Sequence, residues 1–293
     1  MANDDKNKLL ITMNTQSTLL LRYWVAALTC VVSFTFLVVP ARATLQFSDS
    51  FSYSTGALNG DGPPAGSPSG QTAWTTSSGA PQVASPGLSF SGVRSAGNTT
   101  TITGVAGNNG DIATASMTAV PGGSGTEWVG FLISEQSGGS TPNGYAVVVV
   151  GSNGPSFGLI FNQNLYGLDN NTGSQADTRV STTAPSASTT WMVAELNFST
   201  GMEYLFLNPS TANPPSTASA AANYTMTSAF QSSGFSAITL AAGFNTAQFK
   251  FDEVRVGTTF ADVVPEPSAA SFLAMAFTGL CARRFRTRKK ARV

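Results

Sequence analysis

The sequence predicts an all-β body, in which two antiparallel sheets pack face to face as a sandwich over residues 44–264. This stretch contains 28 Gly and 12 Pro residues, which separate short runs of β-branched and aromatic residues. No part of it keeps the hydrophobic period of an amphipathic helix. Roughly eight to twelve short strands with turn residues between them are typical of two packed antiparallel sheets.

Hydrophobic alternation and turn residues predict the individual strands. Leu45, Phe47, Phe51 and Tyr53 share one parity, so residues 45–53 are predicted to form a strand with one buried face. The two runs on either side of Gly-Ser-Asn-Gly-Pro (151–155) predict a hairpin. The further predicted strands are residues 127–134, 145–150, 156–161, 191–198, 203–207, 237–244 and 248–256.

The last predicted strand changes parity in its middle. Phe249 and Phe251 occupy odd positions, whereas Val254 and Val256 occupy even ones. One extra residue is needed to keep all four side chains on one face, so Asp252-Glu253 is predicted to form a β-bulge.

Four features follow one another along the body. They are Phe47-x-Asp49-x-Phe51, a strand led by Trp191 before an Asn-Phe-Ser-Thr-Gly turn, Leu207-Asn208-Pro209, and the closing residues 251–263. This order resembles the concanavalin A-like, laminin-G-type jelly roll, and the resemblance covers most of residues 44–264. It implies that the first and last strands of the body lie side by side.

Asp49 is the one charged residue on the otherwise apolar face of its strand. Burial of an unpaired carboxylate is unfavourable, so we expect a cation or several hydrogen-bond donors beside it. If the terminal strands are neighbours, Asp49 and Asp252 are candidates to share a Ca²⁺ ion with backbone carbonyls. The alternatives are a salt bridge from Asp49 to Arg255 or Arg94, or capping of turn amides by Asp49.

The composition argues against catalysis and predicts no cofactor. The chain contains no His, and its two Cys residues, Cys30 and Cys281, lie in apolar terminal segments. Nucleophilic systems that need His or Cys are therefore excluded from the body. A glycoside hydrolase needs two carboxylates flanking the cleaved bond, and hydrolases of the resembled fold carry an acidic cluster on one strand, which is absent here. Glu195 and Glu203 are interpreted as solvated strand residues.

Aromatic and amide residues are the remaining candidates for ligand binding, because aromatic faces with amide donors suit sugars. Tyr145 and the loop at residues 161–173 (Phe-Asn-Gln-Asn-Leu-Tyr-Gly-Leu-Asp-Asn-Asn-Thr-Gly) belong to this group. Trp74 and Tyr166 are interpreted as loop residues available to a ligand. Trp128 and Trp191 lie within strand runs and are predicted to be core residues.

The N-terminal residues 1–43 have the order of a secretory signal peptide. Arg22 precedes an apolar run of residues 23–39, and Ala41 and Ala43 occupy the small-residue positions of a cleavage site after Ala43. The alternative is an uncleaved signal anchor, because the apolar run approaches the length that spans a bilayer. Translation starts at either Met1 or Met13. In each case the body is exported.

The C-terminal residues 265–293 form a second signal. Pro265-Glu266-Pro267 precedes the apolar residues 269–282 and a tail with seven Lys and Arg residues. This order resembles the PEP-CTERM sorting signal, although the basic tail is longer and richer in Lys than usual. The resemblance implies an exported bacterial protein that is processed by an exosortase, a membrane-embedded cysteine transpeptidase. It also implies a transient transmembrane helix, and proteins of this class are often associated with exopolysaccharide.

Charge separates the body from its two ends. Residues 44–264 carry four Lys and Arg against twelve Asp and Glu, a net charge of −8. Such a body repels phosphate backbones, so nucleic acid is not an expected partner. The leading hypothesis is a non-catalytic protein of the cell surface or extracellular matrix that binds polysaccharide. The alternatives are a glycan-active hydrolase or lyase and an envelope component without a ligand.

Overall fold

The computed structural model describes residues 44–91, 93–94, 97–137, 144–152, 154–170 and 175–264. These residues form an antiparallel two-sheet sandwich, which confirms the predicted all-β body. The strands are β1 (Leu45–Asp49), β2 (Gly56–Ala57), β3 (Thr75–Ser78), β4 (Gln82–Ala84), β5 (Ser89–Phe90), β6 (Val93–Arg94), β7 (Thr99–Thr103), β8 (Asn109–Val120), β9 (Thr126–Ser137), β10 (Tyr145–Val150), β11 (Ser156–Leu159), β12 (Tyr166–Asp169), β13 (Thr178–Val180), β14 (Thr190–Asn197), β15 (Met202–Leu207), β16 (Ala222–Thr225), β17 (Phe235–Gly243) and β18 (Gln248–Gly257). The helices are α1 (Ser228–Ser233) and α2 (Phe260–Val263), and single 3₁₀ turns lie at Gln175–Asp177 and Thr217–Ser219.

Two sheets form the layers of the sandwich. Sheet A has the strand order β16-β15-β14-β9-β18-β7-β4-β2, and β1 also pairs with β18. Sheet B has the order β13-β12-β11-β10-β17-β8-β3. The short hairpin β5-β6 belongs to neither sheet. The chain therefore passes repeatedly between the layers, as in other antiparallel sandwiches.

The predicted pairing of the first and last strands is confirmed. Strand β1 lies antiparallel to β18, with Asp49 directly opposite Val254. The predicted hairpin is also present, since β10 and β11 pair antiparallel. The register between β18 and β9 shifts between Asp252 and Arg255, where Glu253 has a φ of 50°, so the predicted bulge is confirmed.

The first strand is shorter than its alternation predicts. Strand β1 ends at Asp49, and Phe51 has a φ of 49° instead of an extended backbone. The Asp49 carboxylate accepts the Phe51 backbone N–H at 2.7 Å, which closes a local turn. Phe51 is nevertheless fully buried, so the turn delivers the side chain to the same core as the strand would.

The main hydrophobic core lies between the two sheets. Alternate residues of each strand point into it, as the two-residue period of a strand requires. Sheet A contributes Phe131 and Phe251, whose ring centroids are 6.1 Å apart, and sheet B contributes Val148 and Phe157. All four residues have no exposed surface, so the interior of the sandwich is filled by side chains.

A second apolar cluster covers the outer face of sheet A. Trp128 and Trp191 point outwards from β9 and β14, and Phe260 of α2 packs against both, with ring centroids 5.4 Å and 5.9 Å away. Phe90 of the β5-β6 hairpin covers Trp191 from the other side, at 6.1 Å. Both tryptophans are buried, as predicted, but beneath a helix and a hairpin instead of between the sheets.

The two terminal signals lie outside the described residues. This applies to the predicted signal peptide (1–43) and to the sorting signal with its apolar segment (265–293). Within the part of the chain that the structure describes, no helix has the length and apolar character needed to cross a bilayer.

Gly130 of β9 gives α2 its place on sheet A. A Cβ atom at this position would lie 2.9 Å from the Val263 Cβ and 3.1 Å from the Val263 carbonyl oxygen. We expect Gly130→Ala to push α2 away and to lower the free energy of unfolding by roughly 1–3 kcal/mol, the usual range for overpacking. Urea unfolding followed by tryptophan fluorescence measures this loss, since Trp128 contacts α2. Unchanged stability would contradict the close packing of α2.

Candidate functional site

Asp49 is buried at the end of β1, with 1% of its surface exposed. Its carboxylate accepts hydrogen bonds from the Phe51 backbone N–H at 2.7 Å, the Tyr53 hydroxyl at 2.6 Å and the Trp74 indole Nε1–H at 2.7 Å. Burial raises the pKa of Asp49, and these three hydrogen bonds oppose the rise. Burial and the neighbouring Asp49 charge also raise the pKa of Tyr53, so its hydroxyl remains the donor. Asp49 thus organises a turn with neutral donors.

Asp252 lies on the other face of sheet A. It stands opposite Leu132 of the outer cluster and accepts the Leu88 backbone N–H at 2.8 Å and the Glu253 backbone N–H at 2.7 Å. The structure therefore does not bring Asp49 and Asp252 together, and the shared Ca²⁺ site stays a prediction without support from this geometry. Among the described residues, no group of three or more Asp, Glu, His or Cys residues is arranged to hold a metal ion.

The predicted salt bridge from Arg255 to Asp49 is not formed. The Arg255 guanidinium pairs instead with the Glu253 carboxylate, at 3.2 Å. The other predicted cation, Arg94, lies in β6, and its side chain is outside the described part of the structure.

Two aromatic residues that the sequence assigned to ligand-accessible loops are buried, so that interpretation is wrong. Trp74 precedes β3 and is 1% exposed, and its ring contacts Phe47 and Phe51 in the main core. Tyr166 opens β12 and has no exposed surface. Both residues stabilise the interior and are unavailable to a ligand.

Glu195 and Glu203 are also buried, which overturns their interpretation as solvated residues. Glu203 has no exposed surface, shares the inward parity of Leu205 in β15, and its two carboxylate oxygens have no hydrogen-bond donor among the described residues. Burial, with a smaller contribution from the Asp169 charge, raises the pKa of Glu203 to about 8. Glu203 is therefore a neutral acid at pH 7, enclosed in the core and out of reach of a substrate.

Exposed aromatic rings occur on the outer face of sheet B. Tyr145, Phe161 and Phe244 form one continuous surface, which we call the aromatic patch. The rings of Phe161 and Phe244 meet edge to face with centroids 5.1 Å apart, and the Tyr145 ring lies 6.2 Å from that of Phe244. Phe161 and Phe244 are each 38% exposed. Large apolar side chains are normally covered, so this group is a candidate binding surface.

The ends of strands β10, β11 and β17 position the three rings. Tyr145 opens β10 directly opposite Gly243, the last residue of β17. A side chain at Gly243 would collide with the Tyr145 ring, because its Cβ would lie 2.8 Å from the ring edge. Phe161 follows β11 in a tight turn, in which the Ile160 carbonyl accepts the Gln163 N–H at 3.1 Å. The turn after β11, the residues after β17 and the start of β10 thus meet at one edge of sheet B.

Phe244 is displayed by an unusual backbone. Its φ of 60° is in the left-handed region, which is rare for a bulky residue and costs roughly 1–3 kcal/mol. The Phe244 N–H donates to the Asn108 carbonyl at 2.7 Å, and Ala106 forms a bridge with Phe244. These backbone contacts hold the ring outwards, although burial would be expected of an unconstrained phenylalanine.

Amide residues accompany the aromatic patch. The Tyr145 hydroxyl donates to the Asn109 Oδ1 at 3.1 Å. Asn162 and Asn164 of the turn after β11 have φ values of 61° and 51°, and with Gln163 they directly follow Phe161 in the chain. Rings that stack on C–H faces, together with amides that both donate and accept, can bind a hydroxyl-rich ligand.

The sequence identified part of this site. Tyr145 and the amide-rich loop beginning at Phe161 were candidates, and both contribute to the aromatic patch. Phe244 ends the predicted strand at residues 237–244, and the sequence did not identify it as a candidate for binding. The signal that was overlooked is the Asn-Thr that follows it, since Asn at 245 is typical of a turn.

A shallow groove of about 380 Å³ lies beside β15, away from the aromatic patch. None of the residues that line it is acidic, so it has no pair of carboxylates of the kind that cleaves glycosidic bonds. The lining residues are Phe206, Leu207, Pro209, Ser210, Asn213, Pro214, Pro215 and Ser219.

No protein-family model matches the sequence, and no curated protein matches it. Among solved structures, the fold is similar to a botulinum neurotoxin type C chain from work on its interaction with two ganglioside molecules. That similarity has a TM-score of 0.45 and 11% identity, and covers 81% of this chain and 51% of the other. The globular domain of T. cruzi calreticulin has a TM-score of 0.42 and 10% identity, and the match covers 74% of this chain and 94% of the other. A sialidase has a TM-score of 0.43 and 12% identity, and the match covers 75% of this chain and 19% of the other.

The chain spans about half the length of the neurotoxin chain that it matches. Likenesses at 10–12% identity concern the fold alone. What this chain binds has to be argued from its own surface.

The raised pKa of Glu203 predicts a pH-dependent stability. The unfolded chain releases this proton near pH 4.5, whereas the folded protein retains it up to about pH 8. The free energy of unfolding should therefore fall as the pH rises through this interval, by up to ~1.4 kcal/mol per pH unit. We expect Glu203→Gln, measured by urea unfolding, to equal the natural protein at pH 4.5 and to be more stable at pH 8.

A second buried acid defines the best interval for this comparison. Burial raises the pKa of Glu127 to about 7, so Glu127 contributes less to the pH dependence between pH 7 and pH 8 than at lower pH, and the difference between Glu203→Gln and the natural protein in that interval reports on Glu203. The matched control is Glu135→Gln, which removes a charge from a partly exposed position of β9 and should keep the pH dependence. An equal slope in Glu203→Gln and the natural protein would contradict the assignment.

Proposed function

We propose that this is an exported, non-catalytic protein of the cell surface or extracellular matrix that binds polysaccharide through the aromatic patch. The observation that carries the proposal is the exposure of Phe161 and Phe244, each 38%, on rings that contact each other at 5.1 Å. A fold that buries its tryptophans and most of its phenylalanines leaves these two outside. The left-handed backbone of Phe244 supports a functional reason for that exposure.

The placement of the acidic residues favours binding over hydrolysis. Asp49 and Glu203 are enclosed in the main core, and Asp252 is buried beneath the outer cluster. The groove beside β15 is lined by Pro, Ser, Asn and apolar residues. An enzyme of the alternative class would need two carboxylates that reach the same cleft.

Export and sorting complete the proposal. The signal peptide ending at Ala43 directs the body across the inner membrane, and Pro265-Glu266-Pro267 is the recognition element for an exosortase. The apolar residues 269–282 form about 21 Å of helix, short of a ~30 Å hydrocarbon core, so the tail is suited to brief anchoring. The body is packed up to its end, since Val263 is fully buried and Val264 packs against the outer cluster.

Binding through the aromatic patch is tested with the double variant Phe161→Ala/Phe244→Ala. Each ring is expected to contribute roughly 0.5–1.5 kcal/mol, so the double variant should bind polysaccharide about five- to a hundredfold more weakly. Affinity electrophoresis of the secreted protein in gels that contain polysaccharide measures the change. Each ring is partly covered, so the thermal midpoint of the double variant is measured as well, and binding is compared at a temperature at which the variant is folded.

The control for this comparison is Val105→Ala. Val105 is 48% exposed and neighbours Ala106, which bridges to Phe244, but it carries no ring. It should retain binding if ring stacking is responsible. Retained binding in the double variant would show that the aromatic patch is not the binding site.

Processing is tested by the intact mass of protein recovered from the envelope and the medium. In a host with an exosortase, the mass should lack residues 1–43 and the segment that follows Pro265-Glu266-Pro267. The same gene in a host without an exosortase should yield protein that keeps its C-terminal residues. A mass that includes residues 268–293 in the first host would make the tail a permanent anchor and the sorting proposal wrong.

A further inference from the structure

The described segments next to the aromatic patch in the chain carry no charged residue. Residues 104–110, 160–165 and 243–247 supply its rim and contain no Asp, Glu, Lys or Arg. The nearest acid in sequence, Asp111, is 7% exposed, and its carboxylate accepts the Ala80 and Thr103 backbone N–H groups at 2.7 Å and 2.8 Å. Its charge is therefore directed into the fold.

Three of the body's four cations have described side chains, and all three are placed elsewhere. The Arg179 guanidinium lies 4.0 Å above the Tyr224 ring centroid and donates to the Ala176 and Thr178 carbonyls. Arg255 pairs with Glu253, at 3.2 Å. Lys250 lies in β18, in the other sheet, between Thr101 of β7 and Ser134 of β9. None of these three cations is positioned to bind an anion at the aromatic patch.

Recognition of an acidic sugar needs cationic donors, and none of the described cations lies at the aromatic patch. Carboxylate and sulfate groups are bound through charged hydrogen bonds, above all from the planar guanidinium of Arg. The body in addition carries twelve acidic against four basic side chains, so its overall field repels polyanions. Hydroxyl groups, in contrast, both donate and accept, and they match the amides of Asn162, Gln163 and Asn164.

From these observations we infer that the aromatic patch selects neutral polysaccharides and rejects anionic ones. This inference rests on the proposed polysaccharide-binding function and adds the chemical class of the ligand. Apolar sugar faces stack on Phe161 and Phe244, and uncharged hydroxyls meet the amide rim. Binding of this kind involves no release of counterions, so it is insensitive to salt.

The test uses paired polymers that differ in charge. The secreted protein is run in affinity gels with hydroxyethyl cellulose against carboxymethyl cellulose, and with dextran against dextran sulfate. A glycan array of neutral and acidic oligosaccharides extends the comparison to other sugars. The buffers contain 50 mM or 500 mM NaCl. We expect binding to neutral members alone, with less than a twofold change between the salt concentrations and loss in Phe161→Ala/Phe244→Ala.

The outcomes separate the inference from the function on which it rests. One contrary result is binding to acidic members that depends on Phe161 and Phe244 and falls more than tenfold with salt. This result would overturn the neutral selectivity and leave the polysaccharide-binding function intact. No binding to either class across the array would overturn the proposed function and the selectivity together. Equal binding to neutral and acidic members at both salt concentrations would overturn the selectivity alone.

Discussion

Strand β18 has one long neighbour and two partial ones, and this arrangement organises the whole sandwich. On one side it pairs with β9 from Gln248 to Gly257. On the other side its first half pairs with β7 and its second half with β1. The bulge at Asp252-Glu253 lies where the two partners meet, so it allows Phe251 and Val254 to face the same core. The first and last strands of the body are therefore adjacent, as their predicted pairing required.

The polar groups near this junction have structural tasks. The Asp49 carboxylate closes the turn after β1 and fixes the Trp74 indole, while Asp252 holds the segment at Leu88 over the outer face of sheet A. Both carboxylates accept hydrogen bonds from N–H or O–H donors within the fold, which is the usual condition for burying such groups. Their chemistry is thus used inside the fold, whereas the rings of the aromatic patch on sheet B are exposed.

The strands with strong alternation or long apolar runs were predictable from the sequence, and so were the hairpin and the bulge. Strand β8 was not, because its inward positions include the small residues Ala113 and Ala115, which give weak alternation. Trp74 was misread because its partner, Asp49, is distant in sequence, and local pattern carries no information on such contacts. Phe244 was missed because the sequence places it only at the end of a predicted strand, and local pattern does not show the left-handed backbone, φ 60°, at which its ring is exposed. The aromatic patch itself joins three separate segments, so only the folded chain brings it together.

The most direct test of this account is a crystal structure of the secreted protein with a neutral oligosaccharide selected on the array. The account predicts density for sugar rings stacked on Phe161 and Phe244, with hydroxyl groups within hydrogen-bond distance of the amides that follow Phe161. Density confined to the groove at Phe206 and Pro209, with none over the aromatic patch, would contradict it.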